Sequence, residues 1–469
     1  MNSTAPAAES PHGAQSAKAA APAKPGLPPG PRMPRALQSL AFLTRQPAFM
    51  RRARNRYGDM FSVKIFGFPG FVILSDPDLI KQMYTEDVKV LHAGTESPLE
   101  AVLGAHSLLT IDEDYHLSQR RLLLPAFHGE RMRGYVDVFA EIADREFDSW
   151  PSGEEFAVLP AMQRITLQAI LRTVFGAHGA SLNRLETLMP EMVNLGQRLV
   201  LIKALQKDWG PRSPWGRFLR LKAEMVEEVQ GLVDEARADA NIEERGDVLA
   251  ILVQAKHEDD TPMADEEIID QLFTLLVAGH ETTATTLAWC VERLRRNPHV
   301  LQKVTQSVRA GDTDYLDAVI SETLRMRPTV NFAVRIAMRD YEIGGYVVPK
   351  GTRFASNPAL THDDPRLFDD PRSFVPERFL DGRPSSYAYI PFGGGVRRCI
   401  GAAFAQMEAQ VVMRRLLERF DLVPTEAPDE PWRFHGVTFV PQQGGMTRVR
   451  KHSAPPVADL EPELATAAV

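Results

Sequence analysis

The chain has 469 residues, and its 54 Lys and Arg against 61 Asp and Glu give a formal net charge of −7. Hydrophobic residues make up 44% and charged residues 25%, which is typical of a folded globular protein and excludes a mostly disordered chain. The mildly acidic balance argues against nucleic acid as a partner. The two cysteines, Cys290 and Cys399, are too few for a disulfide framework or a four-thiolate metal site, so we expect a cytoplasmic protein.

The two ends of the chain are predicted to be disordered tails. Residues 1–30 are rich in Ala and Pro, and residues 453–469 are rich in Pro, Ala and acidic side chains, so neither segment can pack a core. No run approaches the 18 apolar residues of a membrane span, and the first residues lack the apolar segment of a signal peptide. We therefore expect no membrane anchor, and a single domain over residues 31–452.

The predicted elements between the tails are mostly helical. Residues 61–75 are predicted to form a β-hairpin with its turn at 67–70. A helical pattern punctuated by prolines follows over 76–328, and it includes a helix from Asp265 to about Arg296 that is apolar on more than one face and therefore buried. The elements predicted beyond it are short strands at 341–348, 352–356, 437–440 and 446–449, a Pro- and Asp-rich meander at 361–391 and a helix at 400–420. The predicted fold class is mainly α with a small antiparallel β part.

The middle of the predicted buried helix carries the run Ala278-Gly-His-Glu-Thr-Thr283. A glycine inside a helix costs about 1 kcal/mol relative to alanine, and threonine hydroxyls can bond back to the preceding turn. One interpretation is a locally widened helix with a free hydroxyl beside a carboxylate. The other is a tight helix crossing at which Gly279 admits a neighbour, and the residues alone leave both open. We assign His280 no role and expect it to pack or point away.

A glycine-rich loop, Phe392-Gly-Gly-Gly-Val-Arg-Arg-Cys-Ile-Gly401, precedes the last predicted helix. Its glycines allow close approach of the backbone, and Cys399 lies at the start of a helix, where N–H groups and the dipole favour a thiolate. Such a thiolate is a good axial ligand for haem iron. A phosphate-binding loop is excluded because no Gly-Lys-Ser/Thr follows. A buried free cysteine in a glycine turn remains the alternative.

The spacing Phe392-x-x-Gly395-x-Arg397-x-Cys399-x-Gly401 resembles the haem-binding signature of the cytochrome P450 superfamily at every fixed position. The likeness runs from about residue 27 to 450, and the order of the motifs is similar to soluble bacterial members of an actinobacterial type. The resemblance implies the mainly α haem-thiolate fold. It also implies haem b, iron protoporphyrin IX, with the Cys399 thiolate as its axial ligand, and a monooxygenase that inserts one atom of O2 into an organic substrate.

The resemblance further implies roles for individual residues. Thr282 would support the bound dioxygen, and Glu281 would relay protons to it. The residues implied to hold the haem are Cys399, Phe392, Gly393, Gly401 and Ala278, together with the propionate ligands His116, Arg120, Arg335 and Arg397. The family more often has Trp at position 116. The residues implied to form a structural network for fold integrity and haem incorporation are Glu322, Arg325 and Arg378.

The expected substrate is a hydrophobic molecule of medium size, such as a fatty acid, terpenoid or sterol. The pocket walls implied by the resemblance are Leu99, Val102, Leu103, Leu108, Val277, Val330, Asn331, Phe332, Val437, Thr438 and Phe439. Asn331 is the clearest polar group among them.

Electrons must come from other proteins. The chain has neither a Gly-x-Gly-x-x-Gly fingerprint for a flavin or nicotinamide domain nor cysteines for an iron–sulfur cluster. NAD(P)H is therefore expected to act only indirectly, through a separate ferredoxin and ferredoxin reductase. The residues expected to receive the ferredoxin are Arg121, Arg398, Arg414 and Arg415. A peroxide-driven peroxygenase, an isomerase or dehydratase, and a gas sensor or carrier remain alternatives, and the Glu281–Thr282 pair argues against the enzymes that need no O2 activation.

Overall fold

A computed structural model describes residues 23–66, 71–200, 206–382 and 384–452. The predicted turn at 67–70, most of the first tail and the whole second tail lie outside the described residues. The helices are α1 (Arg35–Tyr57), α2 (Pro77–Thr85), α3 (Glu100–Leu103), α4 (Glu113–Leu123), α5 (Glu130–Asp148), α6 (Leu159–Thr173), α7 (Gly179–Val200), α8 (Pro214–Ala238), α9 (Val248–Gln254), α10 (Asp265–Arg296), α11 (Pro298–Arg309), α12 (Asp314–Met326), α13 (Pro358–His362) and α14 (Ala402–Arg419).

The strands are short and form a minor part of the protein. They are β1 (Lys24–Pro25), β2 (Met60–Val63), β3 (Phe71–Leu74), β4 (Leu91–His92), β5 (Glu155–Ala157), β6 (Ala333–Ala337), β7 (Tyr341–Ile343), β8 (Tyr346–Val348), β9 (Arg353–Ser356), β10 (Phe420–Leu422), β11 (Trp432–His435), β12 (Thr438–Pro441) and β13 (Met446–Lys451). The main sheet has the order β2-β3-β9-β6-β4, and smaller sheets have the orders β1-β8-β7, β10-β13-β5 and β11-β12. The predicted mainly α class is confirmed, but the β part is mixed, because β3 is parallel to β9 and β1 is parallel to β8.

Two predicted boundaries are wrong. The segment 341–348 is not one strand but the hairpin β7–β8, because Gly344 and Gly345 have φ angles of 54° and 78° and turn the chain. The predicted first tail extends too far, since Lys24 N donates to Gly345 O at 2.9 Å and so joins β1 to this hairpin. A Pro-rich segment without core side chains can still be held by its backbone hydrogen bonds.

The longest helix, α10, lies in the core. Acidic residues open it and arginines close it, which suits the helix dipole at both ends. It crosses α6 at Gly279, where a Cβ would lie 2.8 Å from Ile170 Cδ1. The helix is α-helical from Asp265 to Arg296, so the interpretation of a local widening is wrong and the helix crossing is right. None of the helices in the described ranges is long and apolar enough to span a membrane.

Candidate active site

The glycine-rich loop is folded tightly against α2. Gly393 and Gly395 have φ angles of 68° and 64°, in the left-handed region that favours glycine. A Cβ on Gly395 would lie 2.0 Å from the carbonyl oxygen of Tyr84, so only glycine fits there. The backbone N–H of Cys399 donates to Phe392 O at 2.9 Å and closes the loop. This places the cysteine directly before α14.

The two cysteines lie in opposite environments. Cys290 is fully buried, and burial raises the pKa of its thiol to about 12. The Cys399 side chain is exposed, yet burial among surrounding protein groups raises the pKa of its thiol, while the N–H of Gly401 and the charges of Arg120 and Arg398 lower it. An accessible thiol surrounded by protein lies in a recess. Donors and cations that stabilise a thiolate are already present around it.

The middle of α10 has a short accessible face. Ala278 is exposed and Thr282 is partly exposed, although the residues before and after them on α10 are mostly buried. The Thr282 hydroxyl donates to Ala278 O at 2.6 Å, so it is bonded to its own helix rather than free. His280 faces α6 instead, where its Nδ1 lies 2.9 Å from the Thr166 hydroxyl, and burial lowers its pKa to about 4.

The loop 104–112 connects this face of α10 with the cysteine loop. On one side, Gln271 Nε2 donates to His106 O at 2.5 Å and the Thr274 hydroxyl donates to Ser107 at 2.6 Å. On the other side, the Arg397 guanidinium donates to the carbonyl of Leu108 at 2.9 Å. The loop 104–112 therefore contacts both α10 and the cysteine loop.

The four predicted propionate ligands lie close enough for their charges to act on one another. Burial lowers the pKa of His116 to about 3, and the nearby charges of Arg397, Arg120 and Arg335 contribute, against the opposing charge of Asp112. His116 Nδ1 is buried and has no hydrogen-bond partner among the described residues. Three arginines and an orphaned imidazole against one opposing carboxylate form a site with excess positive charge. Such a site fits a ligand that carries carboxylates.

The arginines of this cluster differ in how far they are already paired. Arg397 bonds Asp112 Oδ1 at 2.5 Å as well as the carbonyl of Ile111, so its donors are largely used by the chain itself. Arg335 lies over the ring of Tyr84, with 5.3 Å from the guanidinium carbon to the ring centroid, and donates to Val334 O. Burial is the largest cause that lowers the pKa of both arginines.

The Glu281 carboxylate contacts the β11–β12 hairpin. Its Oε1 lies 2.5 Å from His435 Nδ1 and accepts a longer bond of 3.4 Å from the Thr438 hydroxyl. The two residues predicted to act together are adjacent in sequence but have different polar partners in the structure.

The predicted structural network is assembled around Glu322. Its carboxylate accepts from Arg325 Nε at 2.7 Å and Nη2 at 2.8 Å, from Arg378 Nε at 3.3 Å and from Val375 N at 2.9 Å. The side chains of Glu322 and Arg325 are 0% and 1% exposed, respectively. The remaining donors of Arg325 reach backbone carbonyls, including that of His362 at 2.8 Å. The network joins α12 to the meander before the cysteine loop.

The predicted pocket walls divide into accessible and buried positions. The accessible or partly accessible ones are Leu99, Val277, Val330, Phe332 and Val437. The buried ones are Val102, Leu103, Leu108, Asn331, Thr438 and Phe439. Both side-chain atoms of the Asn331 amide are buried without a partner in the described part of the chain. A buried unpaired amide in an apolar wall is costly unless a ligand or water completes it.

Sequence reasoning missed several residues at the site. Asp112, the residue before α4, accepts hydrogen bonds from the backbone N–H groups of Ala93 and Gly94 and pairs with Arg397, but its side chain does not cap α4. Glu408 on α14 is fully buried beside Thr283, and burial raises the pKa of its carboxyl well above the usual range. Neither carboxyl oxygen makes a hydrogen bond of normal geometry to a described residue, so burial favours the neutral form of the group. No local pattern marks Glu408.

Comparison with known proteins agrees with this geometry. The family model described as cytochrome P450 matches residues 25–447. The protein numbered cytochrome P450 138 in Mycobacterium tuberculosis is 40% identical over 415 residues, covering 88% of this chain and 94% of the relative. The protein numbered cytochrome P450 135B1 in the same organism is 40% identical over 423 residues, covering 88% and 89%.

Two solved structures share the fold. The cytochrome P450DA heme domain superposes with a TM-score of 0.80 at 25% identity, covering 92% of this chain and 99% of that one. Retinoic acid-bound cyanobacterial CYP120A1 also has a TM-score of 0.80, at 24% identity, covering 92% and 100%. The fold is that of a cytochrome P450. The chain belongs to the cytochrome P450 family and is a P450 monooxygenase.

Proposed function

We propose that this protein inserts one oxygen atom from O2 into a hydrophobic organic substrate, of the fatty acid, terpenoid or sterol type, in the cytoplasm. The observation that carries the proposal is the accessible Cys399 thiol before α14, which has the Gly401 N–H and the charges of Arg120 and Arg398 around it. The electrons would come from NAD(P)H through a separate ferredoxin and ferredoxin reductase.

The residues present fit haem b. Cys399 would ligate the iron, and Phe392, Gly393, Gly401 and Ala278 would contact the haem. His116, Arg120 and Arg335 would bind the propionates, and the orphaned Nδ1 of His116 supports this assignment. Arg397 would act mainly by holding Asp112 and the loop before α4, since its donors are used there. When bound, the haem supplies the activation of O2.

Thr282 and Glu281 are proposed to manage protons on the α10 side. The Thr282 hydroxyl donates to Ala278 O, and its oxygen can still accept a hydrogen bond from water. Thr282→Ala should keep haem and substrate binding but divert electrons to hydrogen peroxide. The matched control is Thr285→Ala. Thr285 lies further along the same helix, α10, and is fully buried, so this variant removes a threonine hydroxyl away from the accessible face. Equal coupling of NADPH to product in both variants would contradict the role of Thr282.

The substrate class is tested by binding. Ligand pockets are usually apolar with a few polar groups, and Asn331 is the buried polar group among the proposed walls. We expect low-to-high-spin shifts with lipophilic compounds that carry one oxygen function. Asn331→Leu should weaken their binding about tenfold, as expected for a lost hydrogen bond of about 1 kcal/mol or slightly more, and should leave the matching hydrocarbon unaffected. Spin shifts only with highly charged metabolites would contradict this substrate class.

The ferredoxin face is proposed to centre on Arg398, which is exposed next to Cys399. The other expected arginines hold carboxylates of the chain. Arg415 bonds Asp144 at 2.5 Å, and Arg121 bonds Glu258 at 2.5 Å. Complementary charge raises association rates and is screened by salt. With an acidic ferredoxin, Arg398→Glu should slow the first electron transfer at low salt, whereas the control Arg184→Glu on α7 should not. A rate that is indifferent to salt and to Arg398→Glu would contradict docking through this face.

A further inference from the structure

The β11–β12 hairpin ends beside the middle of α10. His435 is the last residue of β11 and pairs across the turn with Thr438, the first residue of β12. His435 Nδ1 lies 2.5 Å from Glu281 Oε1. Trp289 Nε1 on α10 donates to the carbonyl of Phe439 at 2.8 Å and fixes the hairpin at this position. The contact between the imidazole and the carboxyl is therefore held by two packed elements.

The Glu281–His435 pair connects the protein interior to the surface. The Glu281 side chain is 5% exposed, whereas the His435 side chain is 30% exposed. An imidazole can bind a proton at one nitrogen while it releases a proton from the other. The adjacent His280 does not compete for this role, because it faces Thr166 and stays neutral, its pKa being lowered to about 4 by burial. Arg433, two residues before His435 on β11, is exposed, so this strand lies at the protein surface next to the pair.

We propose that His435 is a proton-relay residue that acts through Glu281 and supplies it from bulk water. The inference rests on the proposed function, in which Glu281 passes protons towards the Thr282 side of α10. In one pass, a proton from water binds Nε2 and the proton on Nδ1 moves to the Glu281 carboxylate, which leaves a neutral imidazole protonated on Nε2. After Glu281 has passed its proton on, uptake of a proton from water at Nδ1 followed by release of the Nε2 proton to water restores the starting tautomer and the Glu281 carboxylate. No electrons move.

The test uses the holoenzyme with a surrogate reductase and compares His435→Gln, Glu281→Gln and the double variant. His435→Gln should lower the rate of product formation about tenfold, below the 10²–10⁴ of an acid that acts directly on the reacting group. It should also raise the fraction of electrons lost to peroxide and enlarge the solvent deuterium isotope effect. The double variant should be no slower than Glu281→Gln, because His435 acts through Glu281.

The matched control is His257→Gln. His257 Nε2 lies 3.0 Å from the carboxylate of Glu267, which is also on α10, so this variant removes a similar pair near the start of the helix. It should keep the wild-type rate and isotope effect. If His435→Gln behaves like His257→Gln, or if its loss adds fully to that of Glu281→Gln, the relay is wrong.

A second readout does not depend on turnover. In the diamagnetic ferrous carbon monoxide form, the Nδ1 proton of His435 should give a slowly exchanging NMR signal that moves upfield in Glu281→Gln. A signal that is absent from wild type, or is unchanged in Glu281→Gln, would overturn the inference. A wild-type enzyme that consumes NADPH without forming product would contradict the proposed function instead, so that the two failures are distinguishable.

Discussion

Removing the buried carboxylate of Glu322 should destabilise the protein severely. Glu322→Ala takes away the acceptor of both Arg325 and Arg378 and leaves Val375 N without its partner. The Arg325 guanidinium, whose side chain is 1% exposed, then keeps no carboxylate partner and is left with backbone carbonyls such as that of Pro371 at 2.8 Å and with the ring of Phe368. Breaking a buried ion pair in this way costs about 3–5 kcal/mol, which is a large share of the 5–15 kcal/mol typical of a folded protein.

The assay is denaturant unfolding followed by far-ultraviolet circular dichroism, with haem content per polypeptide measured in parallel. Glu322→Gln should lose less stability than Glu322→Ala, because the amide can still accept one of these bonds. The control is Glu224→Ala, since Glu224 pairs with Arg184 at 3.1 Å but both side chains are 41% or more exposed. Solvent screening should keep that loss below about 1 kcal/mol. A Glu322→Ala loss no larger than the control would refute the reasoning.

Three further predictions concern the site. Gly395→Ala should destabilise the protein clearly more than Gly393→Ala, because a Cβ would lie 2.0 Å from the Tyr84 carbonyl oxygen in the first case and 3.7 Å from the Tyr84 hydroxyl in the second; similar unfolding midpoints would contradict this. Burial raises the pKa of Glu408 in the folded protein, whereas in the unfolded chain its pKa is the ordinary value of about 4.3. Above that pH the unfolded chain releases a proton that the folded protein still holds. Stability should therefore fall as pH rises above that value, and Glu408→Gln should exceed wild type in urea unfolding at pH 8 but not at pH 4. Arg120→Ala should lower haem content per polypeptide without moving the Soret band of the protein that retains haem, and full haem content would argue against a propionate contact.

Local patterns were sufficient for the long helix and for the cysteine loop. The bounds of α10 agree with the predicted Asp265 and Arg296, because acidic and basic side chains mark its two ends. The glycine-rich spacing around Cys399 could be recognised from the sequence, and Gly393 and Gly395 in it adopt φ angles that favour glycine. The class of the protein followed from that spacing.

Contacts between residues that are far apart in the chain could not be predicted from the sequence. The helix crossing depended on Ile170 of α6 facing Gly279, and nothing near position 279 indicates this. Glu281 finds its partner His435 154 positions later, and the carboxylates bound by Arg415 and Arg397 come from α5 and from the residue before α4. Such pairings are set by how the elements pack, and not by the order of residues within one motif.

The assignment of Cys399 as the thiolate ligand of the haem iron is tested directly by the ferrous carbon monoxide spectrum of two cysteine variants. Cys290→Ser should keep the red-shifted Soret band, because Cys290 is buried in the core with a pKa raised to about 12. Cys399→Ser should lose that band, because the accessible thiol at the start of α14 is replaced by a hydroxyl. A red-shifted band that persists in Cys399→Ser would contradict the account.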